Sequence, residues 1–345
     1  MSGTHTLRAN ASDTQPGLGK PWLLADIGGT HARFGWLARG STSVEHVATL
    51  VGADFSGPVA AAKAYLTDLA VKLGDDFEPA RAGSFALATT VGEDRISFTN
   101  SGWMFSLQAT RQALALEALI VLNDFEALAL SLPRLNPGQL RAIGPVRPGA
   151  AGGALAVIGP GTGLGVAGIV PTARGWVAVP GEGGHATLAS ADDFEAAVLA
   201  AARKLHAHVS AERLLSGVGL PVLHRAVGSV MGQGDKALVL TSEEIVARGL
   251  GLQDPVCVRT LDCFCALLGS FAGNVALTLG ARGGLYIGGG IVPRLGERFF
   301  ESAFRERFEA KGRFRDYLRA IPTSLITDTL VALTGAVVAL EQHGR

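Results

Sequence analysis

Apolar runs that end in glycine-rich turns are the most regular feature of the chain. The segment WLLADIGGTHARFGWL, Trp22–Leu37, has an apolar run, a glycine turn and a second apolar run, and ALAVIGPGTGLGVAGIV, Ala154–Val170, has the same pattern. Each segment predicts a strand, a tight turn and a second strand. Aligned on Thr30 and Thr162, the two form a weak internal repeat. A third apolar strand runs into glycines within Gly283–Arg294.

Helical patterns alternate with these strands. The apolar residues Val121 and Leu122 indicate a buried strand that leads, through the polar pair Asn123 and Asp124, into a helix over Glu126–Leu132. Further helices are predicted at Pro58–Leu73, Leu107–Leu116, Ala191–His206, Ala211–Leu215, Ser242–Leu250 and Pro255–Leu279. Strands that alternate with helices predict an α/β architecture.

The length of the chain predicts two domains. It has 345 residues, and a domain usually has roughly 100–200. Four of the 15 prolines lie in Pro133–Gly153, which indicates a boundary loop. The expected division is a flexible leader over residues 1–22, a small α/β domain formed by 23–134 with about 328–345, and a large α/β domain over 135–327.

The charge balance argues against nucleic-acid and membrane partners. The chain carries 30 basic and 30 acidic residues, so its formal net charge is zero. The most basic stretch, Arg298–Arg319, has acids among its bases and phenylalanines at every fourth position, which predicts an amphipathic surface helix. The uncharged segment Cys263–Ala281 is expected to be a buried helix rather than a membrane span.

The three cysteines are expected to be reduced and buried. Cys257, Cys263 and Cys265 lie in one apolar segment, their number is odd, and no Cys/His spacing in the sequence is typical of zinc. Reduced thiols are usual in a cytosolic protein.

The glycine turns are candidates for phosphate binding. Glycines allow backbone N–H groups to approach a phosphate, and Asp26 at the entrance of the first turn is able to hold Mg²⁺ directly or through water. A plain hairpin turn is an equal alternative. Gly159–Gly165 has glycine at every second position but is neither a Walker A loop nor a Rossmann motif. The flat glycine surface at Gly288–Gly290 either accepts the face of an adenosine or allows a strand and a helix to pack closely.

Several polar residues are candidates for binding a polyol. Glu182 and His185 lie on a glycine-rich loop, and a histidine in such a loop is often structural. Glu212 follows Ser210, a predicted N-cap, so it alternatively complements the helix dipole. Asp124 is alternatively the N-cap of the helix from Glu126. On the local pattern alone, the helix-dipole reading is favoured for Glu212, and both readings stay open for the other residues.

Taken in order, seven motifs resemble the bacterial glucokinases of the hexokinase/actin-like superfamily, outside the ROK group. They are DIGGTxAR, TNxxWxFS, LNDFEA, GPGTGLGVA, PGEGGH, SAERLLSG and GGLYIGGGIVPR, and the similarity extends from about Leu23 to beyond Pro322. The resemblance implies two ribonuclease H-like α/β domains around a cleft. Two departures are His31, where the family often has asparagine, and a C-terminal segment without the Pro-Gly-Leu of related chains.

The resemblance also implies roles for individual residues. The γ-phosphate and Mg²⁺ are expected to face Asp26, Gly28, Gly29 and Thr30. The other phosphates are expected at Gly161, Thr162 and Gly163, and adenosine at Gly289 and Gly290. The sugar hydroxyls are expected to contact Asn123, Asp124, Glu182, His185 and Glu212. An acid such as Asp124 can accept the proton of the attacking hydroxyl.

The expected activity is ATP-dependent phosphorylation of D-glucose at O6, with Asp124 as general base, ATP and Mg²⁺ as cofactors, a cytoplasmic location and a homodimer. A kinase for mannose or fructose, or a donor such as polyphosphate, is not distinguished by sequence. A sugar-responsive regulator is the alternative of another class, but 22 polar residues before Leu23 are too few for a DNA-binding helix-turn-helix. The acids at the sugar site argue against an actin-like ATPase without a sugar substrate.

Overall fold

The computed structural model describes residues 18–89, 94–98, 103–233 and 239–343. Most of the predicted leader, and Thr99–Gly102 of the TNxxWxFS motif, lie outside the described residues. The chain divides into two compact units. We call Met1–Leu122 with Ala336–Arg345 the N-terminal unit, and Asn123–Gly335 the central unit.

The N-terminal unit is built on a five-stranded sheet. Its elements are β1 (Trp22–Ile27), β2 (His31–Leu37), β3 (Glu45–Val51), α1 (Pro58–Leu73), β4 (Ala82–Leu87), β5 (Arg95–Ser97), β6 (Met104–Ser106), α2 (Leu107–Ala113) and β7 (Ala118–Asn123). The strand order is β3-β2-β1-β4-β7, with β1, β2 and β3 antiparallel and β4 parallel to β1. Phe34 and Phe85 are fully buried in its apolar core and meet edge to face.

The central unit is built on a six-stranded sheet. Its elements begin with α3 (Asp124–Ser131), β8 (Leu140–Ala142), β9 (Leu155–Pro160), β10 (Leu164–Thr172), β11 (Gly175–Gly181), α4 (Asp193–Arg203), α5 (Ala211–Leu214), α6 (Leu220–Val230), α7 (Ser242–Leu250) and α8 (Pro255–Leu279). They continue with β12 (Gly284–Ile287), α9 (Ile291–Leu295), α10 (Glu297–Phe300), α11 (Phe304–Glu309), α12 (Arg315–Arg319) and β13 (Thr323–Ile326). The last helix, α13 (Val331–His343), begins in this unit and ends in the other.

The two sheets repeat one strand order. The central sheet runs β11-β10-β9-β12-β13-β8, with β9, β10 and β11 antiparallel and β12 parallel to β9. In each unit the glycine hairpin is therefore the first turn of an antiparallel meander, and the next strand lies parallel to the first. This arrangement confirms the weak internal repeat and the α/β architecture predicted from sequence.

Helix α8 is the buried centre of the helical part of the central unit. It is long and apolar enough to cross a membrane by length and composition, but 78% of its most apolar window is buried inside the protein, as in the core helix of a soluble protein. Its three cysteines are free and buried, as predicted.

The prediction of one amphipathic helix over Arg298–Arg319 is wrong. The segment forms α10, α11 and α12, and Ser302 interrupts it by donating to the carbonyl of Phe299. Helix α11 packs closely against α8, where a Cβ at Gly273 would lie 2.6 Å from the carbonyl oxygen of Phe308. Phe304 and Phe308 are thereby fully buried rather than on a solvent-exposed surface.

The boundaries between the two units lie at other residues than the predicted domain boundaries. Residues 123–134 and 328–335, expected in the small domain, group with the central unit. Two contacts explain this. The Phe125 ring of α3 lies against Gly159 and Gly165, and Gly335 of α13 lies directly against the backbone of Ala127.

Candidate active site

The polar pair Asn123–Asp124 joins a strand to a helix. Asn123 ends β7, and its Oδ1 accepts the backbone N–H of Phe125 at 2.9 Å, so Asn123 is the N-cap of α3. Asp124 is the first helical residue, and its Oδ1 lies 2.9 Å from the same N–H. The helix therefore starts before Glu126, and the reading of Asp124 as its N-cap is wrong. Both side chains remain half-buried.

Glu126 is a residue of this junction that the sequence analysis missed. Its carboxylate faces the backbone N–H of Asn123 at the start of α3. Burial raises the pKa of Glu126, and the bond from Asn123 opposes this rise. The spacing of Asn123 and Glu126 is the sequence signal of a capping box, so this role was visible in the motif LNDFEA.

The Phe125 side chain explains two of the alternating glycines of the second hairpin. A Cβ built at Gly159 or at Gly165 would overlap the Phe125 ring. These two glycines face each other across β9 and β10, so the ring lies over a flat backbone surface. Their role is packing rather than phosphate binding, and the contact fixes the start of α3 over the hairpin.

The tip of this hairpin is more open. A Cβ at Gly161 would meet nothing within 4 Å, and Thr162 is exposed. The N–H of Gly161 donates to the carbonyl of Gly163 at 2.8 Å, so that amide is used to close the turn. The N–H of Gly217 donates to the carbonyl of Gly161 at 2.7 Å and supports the tip from below. Gly161, Thr162 and Gly163 thus form a supported loop without large side chains.

Glu212 lies directly beside the same loop. Its Oε2 accepts the backbone N–H of Leu164 at 2.8 Å, and a Cβ at Gly163 would lie 2.5 Å from that oxygen. Glu212 is in the first turn of α5, whose N-cap is Ser210. Complementing the dipole of α5 is therefore not the only role of Glu212, because its carboxylate also binds the backbone of Leu164 in β10.

His185 lies between two of the predicted sugar-binding acids. Its Nε2 is 3.8 Å from Oε1 of Glu212 and 4.0 Å from Oε2 of Glu182. The side chains of His185 and Glu182 are more than 60% exposed, whereas that of Glu212 is 28% exposed. The structure thus brings three of the five predicted sugar-binding residues together. Asn123 and Asp124 lie beside Phe125, which packs on the same hairpin.

The first glycine hairpin contains an ion pair. Asp26 of β1 faces Arg33 of β2 in register, and Nη1 of Arg33 donates to Oδ2 of Asp26 at 3.1 Å. Burial raises the pKa of Asp26, and the Arg33 guanidinium opposes this rise. The N–H of Gly28 donates to the carbonyl of His31 at 2.9 Å, so it closes the turn rather than facing a ligand. Gly29 and Thr30 form the tip of this hairpin.

The third glycine turn combines close packing with an open face. Gly289 has a φ of +77°, and a Cβ there would lie 2.5 Å from the carbonyl oxygen of Pro160. A Cβ at Gly288 would lie 2.9 Å from the side chain of Leu128. Gly290 has nothing within 4 Å and is exposed. Close packing therefore accounts for Gly288 and Gly289, and Gly290 is the position that leaves room for a ligand.

Two sheets of one strand order, each with a glycine hairpin, and a histidine between two acids beside the second hairpin are the features of a sugar kinase with the actin/hexokinase-like fold. The Glucokinase family model matches residues 23–343. The chain belongs to the glucokinase family.

Individual relatives agree with this assignment. The glucokinase of Paramagnetospirillum magneticum is 48% identical over 314 residues, which cover 91% of this chain and 95% of that protein. The crystal structure of a glucokinase from an Antarctic psychrotroph has a TM-score of 0.84 at 37% identity and covers 93% of this chain and 99% of its own. A ROK family glucokinase from Streptomyces griseus, in complex with glucose and AMPPNP, has a TM-score of 0.57 at 17% identity. It covers 94% of this chain and 100% of its own, and this similarity shows the fold alone.

These findings confirm the predicted family, the two-domain actin/hexokinase-like fold class and the prediction of a glucose kinase. They do not favour the alternatives of a kinase for another hexose or a regulator without activity.

Proposed function

We propose that this protein transfers the γ-phosphoryl group of ATP to O6 of D-glucose, with Asp124 as the general base. The observation that carries the proposal is the position of Asn123 and Asp124. They lie at the start of α3, fixed by the Phe125 ring on the hairpin that also contacts Glu212. A base held rigidly by its backbone suits proton transfer from a positioned hydroxyl.

The reacting hydroxyl loses its proton as it attacks the phosphorus. We assign that proton to the Asp124 carboxylate and the orientation of the sugar ring to the Asn123 amide. Since Oδ1 of Asn123 already accepts the N–H of Phe125, its amide NH₂ is the group that donates to the sugar. Phosphoryl transfer has a loose transition state, so most of the rate enhancement comes from positioning and charge.

The remaining hydroxyls are proposed to bind Glu182, His185 and Glu212. A carboxylate accepts from two hydroxyls, and an imidazole donates from one nitrogen and accepts at the other. Glu212 has a second task in this assignment, because Oε2 holds Leu164 and Oε1 faces His185. Loss of Glu212 should therefore disturb both the sugar and the hairpin.

The phosphates are proposed to bind the hairpin tips. Gly29 and Thr30 supply backbone N–H groups to the γ-phosphate, with Asp26 and Gly28 shaping the turn, and Gly161, Thr162 and Gly163 form the loop for the other phosphates. Gly290 is proposed to face adenosine, together with the neighbouring Gly289. The open positions at Gly161 and Gly290 support these assignments.

The residues around Asp26 are suited to Mg²⁺ held through water. The Asp26 side chain is 15% exposed, and its Oδ2 is bonded to Arg33. A cation bound directly at that oxygen would be repelled by the guanidinium, whereas a hydrated ion is accommodated at the other oxygen. With ATP bound, Mg²⁺ held here would neutralise negative charge on the phosphate oxygens.

We further propose that the two compact units are the small and large domains of the kinase, and that the protein is a cytoplasmic homodimer. A coupled assay with glucose, mannose and fructose, each with ATP and with polyphosphate, tests substrate and donor. Activity with glucose and ATP should exceed every other pair. Equal turnover of mannose, or activity only with polyphosphate, would reject the corresponding half of the proposal. Light scattering of the purified chain tests the dimer.

A further inference from the structure

Three side chains outside the proposed active site meet where helices of the central unit pack together. A ring nitrogen of His224 in α6, a carboxylate oxygen of Asp254 and the sulfur of Cys257 in α8 all lie within 4.8 Å of one another. Helices α6 and α7 both pack against α8, and Asp254 lies in the connection from α7 to α8. The cluster therefore joins side chains from separate segments at one point, where His224 and Cys257 are buried and Asp254 is half-buried.

His224 has a buried nitrogen that needs a partner. The residue is 3% exposed, and within the described part of the chain its Nε2 has no hydrogen-bond partner. Buried polar atoms in native proteins are nearly always satisfied, so this atom requires an explanation. Burial lowers the pKa of His224, with Asp254 opposing and Arg248 adding to that effect. The ring is therefore neutral, which is the form that coordinates a metal.

Asp254 and Cys257 supply the other two groups. Oδ1 of Asp254 accepts the N–H groups of Val256 at 2.8 Å and Cys257 at 3.2 Å, and so caps α8. Oδ2 is then the oxygen that a cation would take. Burial raises the pKa of the Cys257 thiol to about 11, and the negative charge of Asp254 beside it adds to this rise. Without a cation the sulfur thus carries its proton.

We propose that His224, Asp254 and Cys257 form a zinc-binding site. A nitrogen, a sulfur and an oxygen ligand are the set that tetrahedral zinc accepts, with water as the fourth ligand, whereas Mg²⁺ takes oxygen ligands. On binding, the Cys257 thiol releases its proton to solvent, and the thiolate and the carboxylate balance the two positive charges of the ion. The histidine ligand comes from another helix, so the spacing of cysteines and histidines along the sequence does not reveal this site.

Bound zinc would connect α6 to the start of α8. Helix α7 begins at Ser242, whose hydroxyl donates to the carbonyl of Gly217, and Gly217 supports the tip of the second glycine hairpin. The proposed ion therefore stabilises the packing of α6, α7 and α8, and the start of α7 contacts the residue that supports the hairpin. Its role is structural, and the proposal does not depend on the assignment of Asp124.

The test uses the full chain, stripped with a chelator and titrated with Co²⁺ in the absence of nucleotide. Coordination by sulfur gives a thiolate-to-cobalt charge-transfer band in the near ultraviolet, which a site of oxygen ligands such as Asp26 does not give. We expect one Co²⁺ per chain with this band, its displacement by Zn²⁺, and a rise in Tm on adding Zn²⁺. Cys263→Ser is the matched control, because Cys263 is buried in the same helix but lies outside the cluster.

Two variants decide the outcome. Cys257→Ser should abolish the band and the rise in Tm. Asp254→Asn keeps an N-cap acceptor, so it should fold, yet bind the cation at least about tenfold more weakly. The proposal is rejected if the wild-type chain shows no sulfur band, or if Asp254→Asn binds Co²⁺ as tightly as wild type. The proposal is also rejected if the sulfur-to-cobalt band persists in Cys257→Ser. In each case the three side chains do not together bind the cation.

Discussion

Oε2 of Glu212 accepts the backbone N–H of Leu164 at 2.8 Å. This bond joins the first turn of α5 to the strand that leaves the second glycine hairpin. One carboxylate therefore contacts the proposed phosphate loop through one oxygen and the proposed sugar-binding histidine through the other. The relationship predicts that the two substrates of the kinase are coupled through a single side chain.

Replacing Glu212 should affect both stability and substrate binding. In Glu212→Ala the N–H of Leu164 loses its charged acceptor, so the free energy of unfolding should fall by about 1–3 kcal/mol. Glucose binding should weaken by a similar amount. The control is Glu182→Ala, because the Glu182 side chain is 63% exposed and should affect glucose binding alone. Calorimetric titration with glucose and urea unfolding measure the two effects. A Glu212→Ala protein of wild-type stability would contradict this account.

The two kinds of glycine in the second hairpin should respond differently to alanine. Gly165→Ala places a Cβ in the Phe125 ring, so we expect a loss of about 1–3 kcal/mol in the free energy of unfolding. Gly161→Ala, in the same hairpin but in open space, should change stability by less than about 0.5 kcal/mol. Melting curves of both variants test this difference.

A second change separates packing from other causes of the Gly165→Ala loss. Adding Phe125→Leu to Gly165→Ala removes part of the ring that the new Cβ meets, so the double variant should recover part of the lost stability. The effects of the two substitutions on the free energy of unfolding should not be additive. If they are additive, or if Gly161→Ala is as destabilising as Gly165→Ala, contact with Phe125 is not the reason for glycine at position 165.

Removing Arg33 should create a pH-dependent loss of stability. In Arg33→Ala the burial of Asp26 is no longer opposed, so the pKa of Asp26 rises further than in wild type. A raised carboxyl pKa in the folded state favours folding at low pH, and that contribution is lost as pH rises through the folded pKa. The deficit relative to wild type should therefore be about 1–3 kcal/mol near neutral pH and shrink towards about pH 5.

Urea unfolding at both pH values measures this deficit. Arg39→Ala is the control in the same unit, since Arg39 and Glu78 form an exposed pair that should contribute little at either pH. A deficit of equal size at the two pH values would show that the ion pair with Asp26 is not its cause.

Local signals predicted the helices well where caps and prolines mark their ends. Pro58–Leu73, Ser242–Leu250 and Pro255–Leu279 have the bounds expected from sequence. The second of these is preceded by a capping box from Thr241 and the third by the Asp254 cap. Such signals are contained within a few residues, so a single sequence carries them.

Contacts between distant segments were not predictable in the same way. The close packing of α11 on α8 and of the Phe125 ring over Gly165 joins segments that are far apart in the sequence, and no local pattern encodes these contacts. Arg33 is an intermediate case. The predicted strand-turn-strand contains both Asp26 and Arg33, but the pairing of the two residues depends on the register, which the structure supplies.

The central claim is that Asp124 takes the proton of the sugar hydroxyl, and the single variant Asp124→Asn tests it most directly. Asparagine keeps the shape and an acceptor for the N–H of Phe125 but does not take up a proton, and Asn123 remains the N-cap of α3. The measurement is kcat together with calorimetric glucose affinity and a melting curve on the same preparation. We predict that kcat falls by about 10²–10⁴-fold while glucose affinity and Tm stay near wild type. Near-normal kcat would contradict the account.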